Sequence, residues 1–189
     1  MRANVTRAAE GFDRRSFTVA EILSMQDTGI ISDDENFELI EGEIVPMQGE
    51  DPRSRTDQVG AEYRDRSRAA RTTVARRRKH DVSERGHSLV EPDLVVYPKG
   101  IRLEEVKGPD ILLAVEVALT SLDYDRGLKA GLYARHRVNE LWVVEASQRR
   151  TYVHRHPTGE EWRSIVERGP DDALTSSVLP GFSLKLGSI

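Results

Sequence analysis

The sequence contains no cysteine. This excludes disulfide bonds, thiolate zinc sites and cysteine nucleophiles, so any metal must be held by oxygen or imidazole ligands. No apolar run approaches the roughly 18 residues that a membrane-spanning helix needs, and residues 1–15 lack the apolar centre of a secretory signal. We therefore expect a cytoplasmic protein that does not enter the membrane.

Excess positive charge is also missing. The formal net charge of −4 provides no general attraction to nucleic acid, so a protein that binds nucleic acid with this composition needs a local basic surface. A length of 189 residues with 38% hydrophobic and 32% charged residues suits one soluble domain. We expect a flexible arm over 1–15 and a single domain over 16–189.

Large aliphatic residues are absent from one long stretch. Residues 49–88 contain ten arginines and one lysine against seven acids, and no Leu, Ile, Phe, Met or Trp. Three interpretations stay open for 49–87: a solvated charged helix over 57–79 or disorder, a mutated or out-of-frame replacement of an ordinary helix and strand, or a surface that contacts phosphates. In the last case the run Arg76, Arg77 and Arg78 is the candidate nucleic-acid-binding site.

Regular elements are predicted on both sides of this stretch. Thr18 and Glu21 form a capping-box pattern at the start of a short amphipathic helix. Residues 37–47 predict two strands joined across Glu41-Gly42, and a further strand runs from Asp93 to Tyr97. Three more strands are predicted towards the C-terminus, at 140–146, 150–156 and 161–167.

The run ILLAVEV at 111–117 predicts a strand that is buried on both faces. Glu116 is its one ionisable residue. A carboxylate in a core strand is costly unless it is paired or bound to a cation, so Glu116 indicates either a metal site or an ion pair. A helix with Ser121 and Asp123 as candidate caps follows and carries Lys129.

Asp93 and Glu116 are spaced so that they can lie on neighbouring strands. Two such carboxylates can hold one Mg²⁺, which neutralises a phosphate oxygen and lowers the pKa of a bound water. A nearby lysine then stabilises the negative charge that develops during reaction. Phosphodiester hydrolysis needs this combination of groups.

Several motifs carry a family resemblance. Pro92-Asp93, followed by Glu116-Val117-Ala118 at the end of an apolar strand, resembles the PD-(D/E)xK nuclease core. More narrowly, ELIEGEI (38–44), EPDLVVY, LAVEV, YDRGLK (124–129) and ELWVV resemble, in this order, the Uma-two family of bacterial endonucleases. The resemblance covers 17–48 and 88–186 and fails across 49–87.

The resemblance implies roles for individual residues. Ala118 stands where the superfamily commonly has lysine, which implies that the catalytic lysine has moved to the next helix as Lys129. Asp93 and Glu116 would bind the metal with the carbonyl of Val117, and Glu38 would be a further catalytic acid near it.

Tyr124 and Asp125 would support the metal ligands through hydrogen bonds, although Asp125 could instead pair with Lys129 at i,i+4 spacing. Simpler interpretations also stay open: Glu116 in an ion pair without metal, Asp93 as a loop cap, Lys129 as a solvated helix residue. Glu38 is ambiguous because Glu41 and Glu43 are close in sequence. We expect His154 and His156 to be surface residues.

The resemblance implies an α/β fold, a mixed β-sheet flanked by helices of restriction-endonuclease-like type. It also implies an endonuclease that hydrolyses DNA with Mg²⁺ or Mn²⁺, as a homodimer if one active site per chain is to cut both strands. One alternative is a catalytically inactive nucleic-acid-binding or regulatory domain of the same fold. A second is a phosphohydrolase that acts on another phosphate ester.

Overall fold

The computed structural model describes residues 15–32, 34–47, 72–76, 79–83 and 86–186. The arm predicted over 1–15 lies outside these residues except for its last position, and so does most of the arginine-rich stretch. The strands are, in chain order, β1 (Phe37–Ile40), β2 (Glu43–Pro46), β3 (Thr72–Arg76), β4 (His80–Asp81), β5 (Leu89–Val90), β6 (Leu94–Pro98), β7 (Leu113–Ala118), β8 (Glu140–Glu145), β9 (Arg150–Thr158), β10 (Glu161–Arg168), β11 (Leu174–Thr175) and β12 (Ser183–Leu184).

A six-stranded mixed sheet forms the centre of the fold. Its strand order is β10-β9-β8-β7-β6-β3, in which β7 and β8 are parallel and all other neighbours are antiparallel. The parallel pair requires a crossover connection, and the helix α2 over 122–135 supplies it. The predicted mixed α/β architecture is confirmed.

Helix α2 is not uniform along its length. It begins with one α-helical turn (Leu122–Tyr124), continues as a π-helix (Asp125–Lys129) and returns to α-helix (Ala130–Arg135). Single π-helical turns inside α-helices are rare overall, and those that occur are often found at functional sites. The π-helical turn ends at Lys129, so the irregular part of the helix carries a candidate catalytic residue.

A smaller sheet packs beside the central one. Its strand order is β2-β1-β5-β4, and helix α1 (Val19–Asp27) covers it. The capping box is present, because Thr18 Oγ1 accepts from the Glu21 amide while Glu21 Oε2 accepts from the Thr18 amide. The predicted turn between β1 and β2 has φ +88° at Gly42, where a Cβ would lie 1.9 Å from Ser16 Oγ. Glycine is therefore required at this turn.

Strand β7 is buried on both faces, as its apolar sequence predicts. Leu113, Val115 and Val117 pack in the cluster that contains the C-terminal strands β11 and β12. Ala114 packs in the cluster that contains Leu132 and Tyr133 of α2. Because side chains alternate along a strand, Glu116 points to the same side as Ala114, towards α2.

One predicted element is wrong. Residues 72–76 form strand β3 rather than part of a helix over 57–79, and Thr73 pairs with Tyr97 of β6. The segment TTVAR is rich in β-branched residues, and its backbone hydrogen-bonds to β6, which favours the strand over a helix with a thin apolar stripe. Residues 57–71 and 77–78 lie outside the described residues.

Within the part of the chain that the structure describes, no helix is long and apolar enough to cross a membrane.

Candidate active site

Four side chains from four separate elements meet where the two sheets face helix α2. Glu38 comes from β1, Asp93 immediately precedes β6, Glu116 lies on β7, and Lys129 lies on α2. All four are buried, with exposed fractions between 1% and 8%. The sequence predicts each of these residues as part of the site, and the structure brings all four into one cluster.

Lys129 lies at the centre of this cluster. Its Nζ is 2.8 Å from Glu38 Oε1 and 3.0 Å from Glu116 Oε1, and 4% of its side chain is exposed. Burial alone would lower the pKa of Lys129, but Glu116 and Glu38 outweigh this effect and raise the pKa. The interpretation of Lys129 as a solvated helix residue is therefore wrong, and the ammonium stays protonated at neutral pH.

Glu116 accepts a second contact on the same oxygen. Tyr133 Oη donates to Glu116 Oε1 at 2.5 Å. Burial raises the pKa of Glu116 well above its ordinary value, and the negative charges of Asp93, Asp125 and Glu38 add to this effect while Lys129 opposes it. The positive charge of Lys129 thus does not fully offset burial, and the pKa of Glu116 stays above its ordinary value.

Glu38 is held by three partners. Its Oε1 accepts from the Glu91 amide at 2.9 Å as well as pairing with Lys129, and its Oε2 accepts from Tyr124 Oη at 3.2 Å. Burial and the charge of Glu38 raise the pKa of the Tyr124 hydroxyl, so Tyr124 remains a donor. Of the three glutamates at 38, 41 and 43, it is thus Glu38 that contacts Lys129.

Asp93 contacts the backbone of β7 at the residue that follows Glu116. Its Oδ2 accepts from the Val117 amide at 2.7 Å. This contact joins the residue that precedes β6 to the C-terminal end of β7. It also brings the Asp93 carboxylate next to the residue whose carbonyl is a predicted metal ligand.

Asp125 is buried close to these groups. Ser121 Oγ donates to its Oδ2 at 2.6 Å, whereas the Lys129 ammonium lies against Glu38 and Glu116. Burial raises the pKa of Asp125, with Ser121 and Lys129 acting in the opposite direction. Among the described contacts, Asp125 thus binds Ser121, four residues before it, rather than Lys129, four residues after it. The residues from Asp125 to Lys129 are π-helical, so the two side chains are not placed as in a regular α-helix.

The chemistry of these side chains fits a hard cation. Carboxylate and carbonyl oxygens are the ligands that Mg²⁺ prefers, and Asp93, Glu116 and Val117 supply them. Burial raises the pKa of Glu116 although Lys129 opposes this effect, and a bound divalent ion would favour the ionised carboxylate. As they stand in the described ranges, no three Asp, Glu or His side chains are grouped closely enough to hold a metal ion. The proposed set therefore contains two carboxylates and one carbonyl, and water molecules would supply the other ligands of Mg²⁺.

Tyr133 is the residue that sequence reasoning missed. It lies four positions after Lys129 on the same helix, so it shares the face that meets β7, and this spacing was the available signal.

Of the arginine run, Arg76 lies in β3, whereas Arg77 and Arg78 lie outside the described residues. The prediction for His154 is wrong: it is 1% exposed and packs edge-on against Trp162, since its strand faces α2 there. His156 is exposed as expected.

The comparisons with known proteins address the fold and the family. No curated protein was found to match this chain. The structure is similar to the crystal structure of "a putative nuclease belonging to DUF820" from Anabaena variabilis, with a TM-score of 0.67 over 90% of this chain and 96% of that chain. At 14% identity this similarity shows the fold alone. The profile of the Uma2 (Uma-two) family, described as "Putative restriction endonuclease", matches residues 19–187, and the chain therefore belongs to this family.

Proposed function

We propose that this protein is a Mg²⁺-dependent endonuclease that hydrolyses DNA phosphodiester bonds. The observation that carries the proposal is the buried ion cluster of Glu38, Lys129 and Glu116 beside Asp93. Buried charged groups are expensive to maintain for stability alone, and hydrophobic residues of similar size often stabilise a core at least as well. A functional role explains why the fold accommodates them.

Asp93, Glu116 and the carbonyl of Val117 are the proposed ligands of Mg²⁺ or Mn²⁺. When bound, the ion would act as a Lewis acid on a phosphate oxygen and lower the pKa of a bound water. The two contacts from Tyr133 and Lys129 both use Oε1 of Glu116, so within the described contacts Oε2 is the oxygen left for a cation.

Lys129 is proposed to stabilise the negative charge that develops on the phosphate during reaction. Against the effect of burial, Glu116 and Glu38 raise the pKa of Lys129, which favours the ammonium form for this role. Glu38 holds its ammonium between β1 and β7, and Tyr124 in turn holds Glu38. Asp125 and Ser121 fix the helical turn that presents the lysine.

The substrate is proposed to be DNA, and the position of β3 supports this. Arg76 pairs in register with Leu94, which directly follows the candidate ligand Asp93. The basic run 76–78 therefore starts on the strand beside the site. Arginine side chains commonly contact DNA phosphates, so this run is the proposed DNA-binding segment.

Cleavage of a supercoiled plasmid tests the proposal. Wild-type protein should nick or linearise the plasmid in the presence of Mg²⁺, EDTA should abolish the reaction, and Glu116→Ala should be inactive. Glu167→Ala provides a matched control, because Glu167 lies on the edge strand β10 in an exposed pair with Arg150. DNA binding without cleavage by the wild type would instead favour the inactive nucleic-acid-binding domain, and turnover of small phosphoesters alone would favour a different phosphohydrolase.

A further inference from the structure

Tyr133 has no role in the function proposed so far, although it contacts the cluster directly. It is 0% exposed and lies on the α-helical part of α2, four residues after Lys129. Residues at this spacing share one face of a helix. Both side chains therefore approach β7 from the same direction and meet the same carboxylate.

The two contacts fall on one oxygen of Glu116. Tyr133 Oη lies 2.5 Å from Oε1 and Lys129 Nζ lies 3.0 Å from it. A distance of 2.5 Å lies at the short end of the range for hydrogen bonds between two oxygen atoms. Since two donors hold Oε1, rotation of the carboxylate about its terminal bond is restricted, and the direction of Oε2 is set.

Packing does not require the Tyr133 hydroxyl. A phenylalanine ring would fill the same space in the cluster formed with Leu132, Leu141 and Val143. A buried hydroxyl is costly unless it is hydrogen-bonded, and here the bond goes to Glu116. The phenol hydroxyl is the donor of this bond and the carboxylate oxygen is its acceptor.

We infer that Tyr133 is a positioning residue that holds Oε1 of Glu116 and thereby directs Oε2 towards a divalent cation shared with Asp93. This inference rests on the proposed metal-dependent function. It predicts that Tyr133 acts on metal affinity through Glu116, without contact with the metal or the substrate. Hydrogen bonds to metal ligands typically change metal affinity about 10- to 100-fold when they are removed.

The test is calorimetric titration of Tyr133→Phe with MgCl₂ and MnCl₂. We expect the Kd for the metal to rise about tenfold or more relative to wild type. In plasmid cleavage, the metal concentration for half-maximal rate should rise by a similar factor, whereas the rate at saturating metal should recover towards the wild-type value. A purely structural role would lower the melting temperature without changing the Kd.

Tyr97→Phe is the matched control. Tyr97 is also buried in the cluster beneath α2, but burial and Glu104, rather than the carboxylates of the site, raise its pKa. Loss of its hydroxyl should leave the metal Kd unchanged. A rise of the Kd in Tyr97→Phe equal to that in Tyr133→Phe would overturn the inference, since the effect would then be general to this core.

The outcomes separate this inference from the proposed function. If wild-type protein binds neither Mg²⁺ nor Mn²⁺, the metal site itself fails and the inference fails with it. If wild type binds metal and Tyr133→Phe binds it equally well, only the positioning role fails. Should Tyr133→Phe not fold, the hydroxyl proton of Tyr133 in wild-type NMR spectra provides the test. Its signal should shift on saturation with Mg²⁺, and an unchanged signal would overturn the inference.

Discussion

Glu38 and Lys129 form a buried ion pair at 2.8 Å between the small sheet and helix α2. The pair joins elements that are far apart in sequence, and its lysine also contacts Glu116 on the central sheet. Lys129 thus links both sheets to the crossover helix. Stability and proposed catalysis depend on the same ammonium group, so the two must be measured separately.

Replacing Lys129 by methionine should lower the free energy of unfolding by about 3–5 kcal/mol, because removal of one partner leaves buried carboxylates uncompensated. Urea denaturation in EDTA measures this change. Lys107→Met is the matched control: Lys107 pairs with Asp81 at 2.6 Å, but 36% of its side chain is exposed, and exposed pairs contribute about 1 kcal/mol or less. Equal losses in the two variants would contradict the structural importance of the buried pair.

Addition of Mg²⁺ or Mn²⁺ should raise the melting temperature of the wild type, because a ligand that binds only the folded state stabilises it by about 2.7 kcal/mol at 100 times its Kd. Asp93→Asn and Glu116→Gln should lose this shift together with cleavage. Lys129→Met, although less stable without metal, should keep a metal-induced shift and lose cleavage, since the lysine is proposed to act on the phosphate. Equal shifts in wild type and Glu116→Gln would eliminate the proposed metal site.

Replacing Arg76, Arg77 and Arg78 by alanine should flatten the dependence of DNA affinity on salt, because each phosphate contact contributes roughly 0.9 to the slope of log K against log salt. Fluorescence anisotropy at several NaCl concentrations, with Ca²⁺ in place of Mg²⁺, measures this slope. Arg163→Ala combined with Arg168→Ala is the control, because β10 is the opposite edge of the central sheet from β3. An unchanged slope in the triple variant would assign the run to solvent.

Acid should destabilise the fold through His154. Burial lowers the pKa of this imidazole below its ordinary value of 6.5, with hydrogen bonds to Tyr152 and Leu141 acting in the opposite direction. Because the folded state disfavours the charged form, the contribution of His154 is complete above about pH 6.5 and is lost as the pH falls through its folded pKa.

Urea denaturation of wild type and His154→Gln between pH 5 and pH 8 measures this contribution. Wild-type stability should fall more steeply than that of the variant below about pH 6.5. The exposed His156 supplies the control, since His156→Gln should retain the wild-type slope. Parallel curves for wild type and His154→Gln would show that His154 does not couple folding to protons.

The prediction of strand β7 succeeded for a local reason. A short apolar run with β-branched residues is sufficient to specify a buried strand, and the single glutamate in it was a recognisable exception. The prediction over 72–76 failed for the opposite reason. The sequence there contains little apolar periodicity, and pairing with β6 decided the conformation.

The site shows the same division. Asp93, Glu116 and Lys129 were identified from motif order and from the cost of a charge in a core strand. Tyr133 was missed because its i,i+4 spacing to Lys129 indicates only a shared helix face and does not distinguish a tyrosine that packs in a core from one whose hydroxyl binds a carboxylate. That distinction requires the position of the partner strand.

In the sequence, the family resemblance carried by the order of the motifs predicted the mixed α/β fold and the candidate residues Glu38, Asp93, Glu116 and Lys129. Residue type and periodicity alone excluded thiolate chemistry and predicted the buried strand that carries Glu116. Only the tertiary structure decided that Glu38, rather than Glu41 or Glu43, pairs with Lys129, that Asp125 binds Ser121, and that Tyr133 holds Oε1 of Glu116. Each of these choices depends on the packing of α2 against two sheets, which brings groups together across long separations in the chain, and local sequence patterns do not encode such contacts.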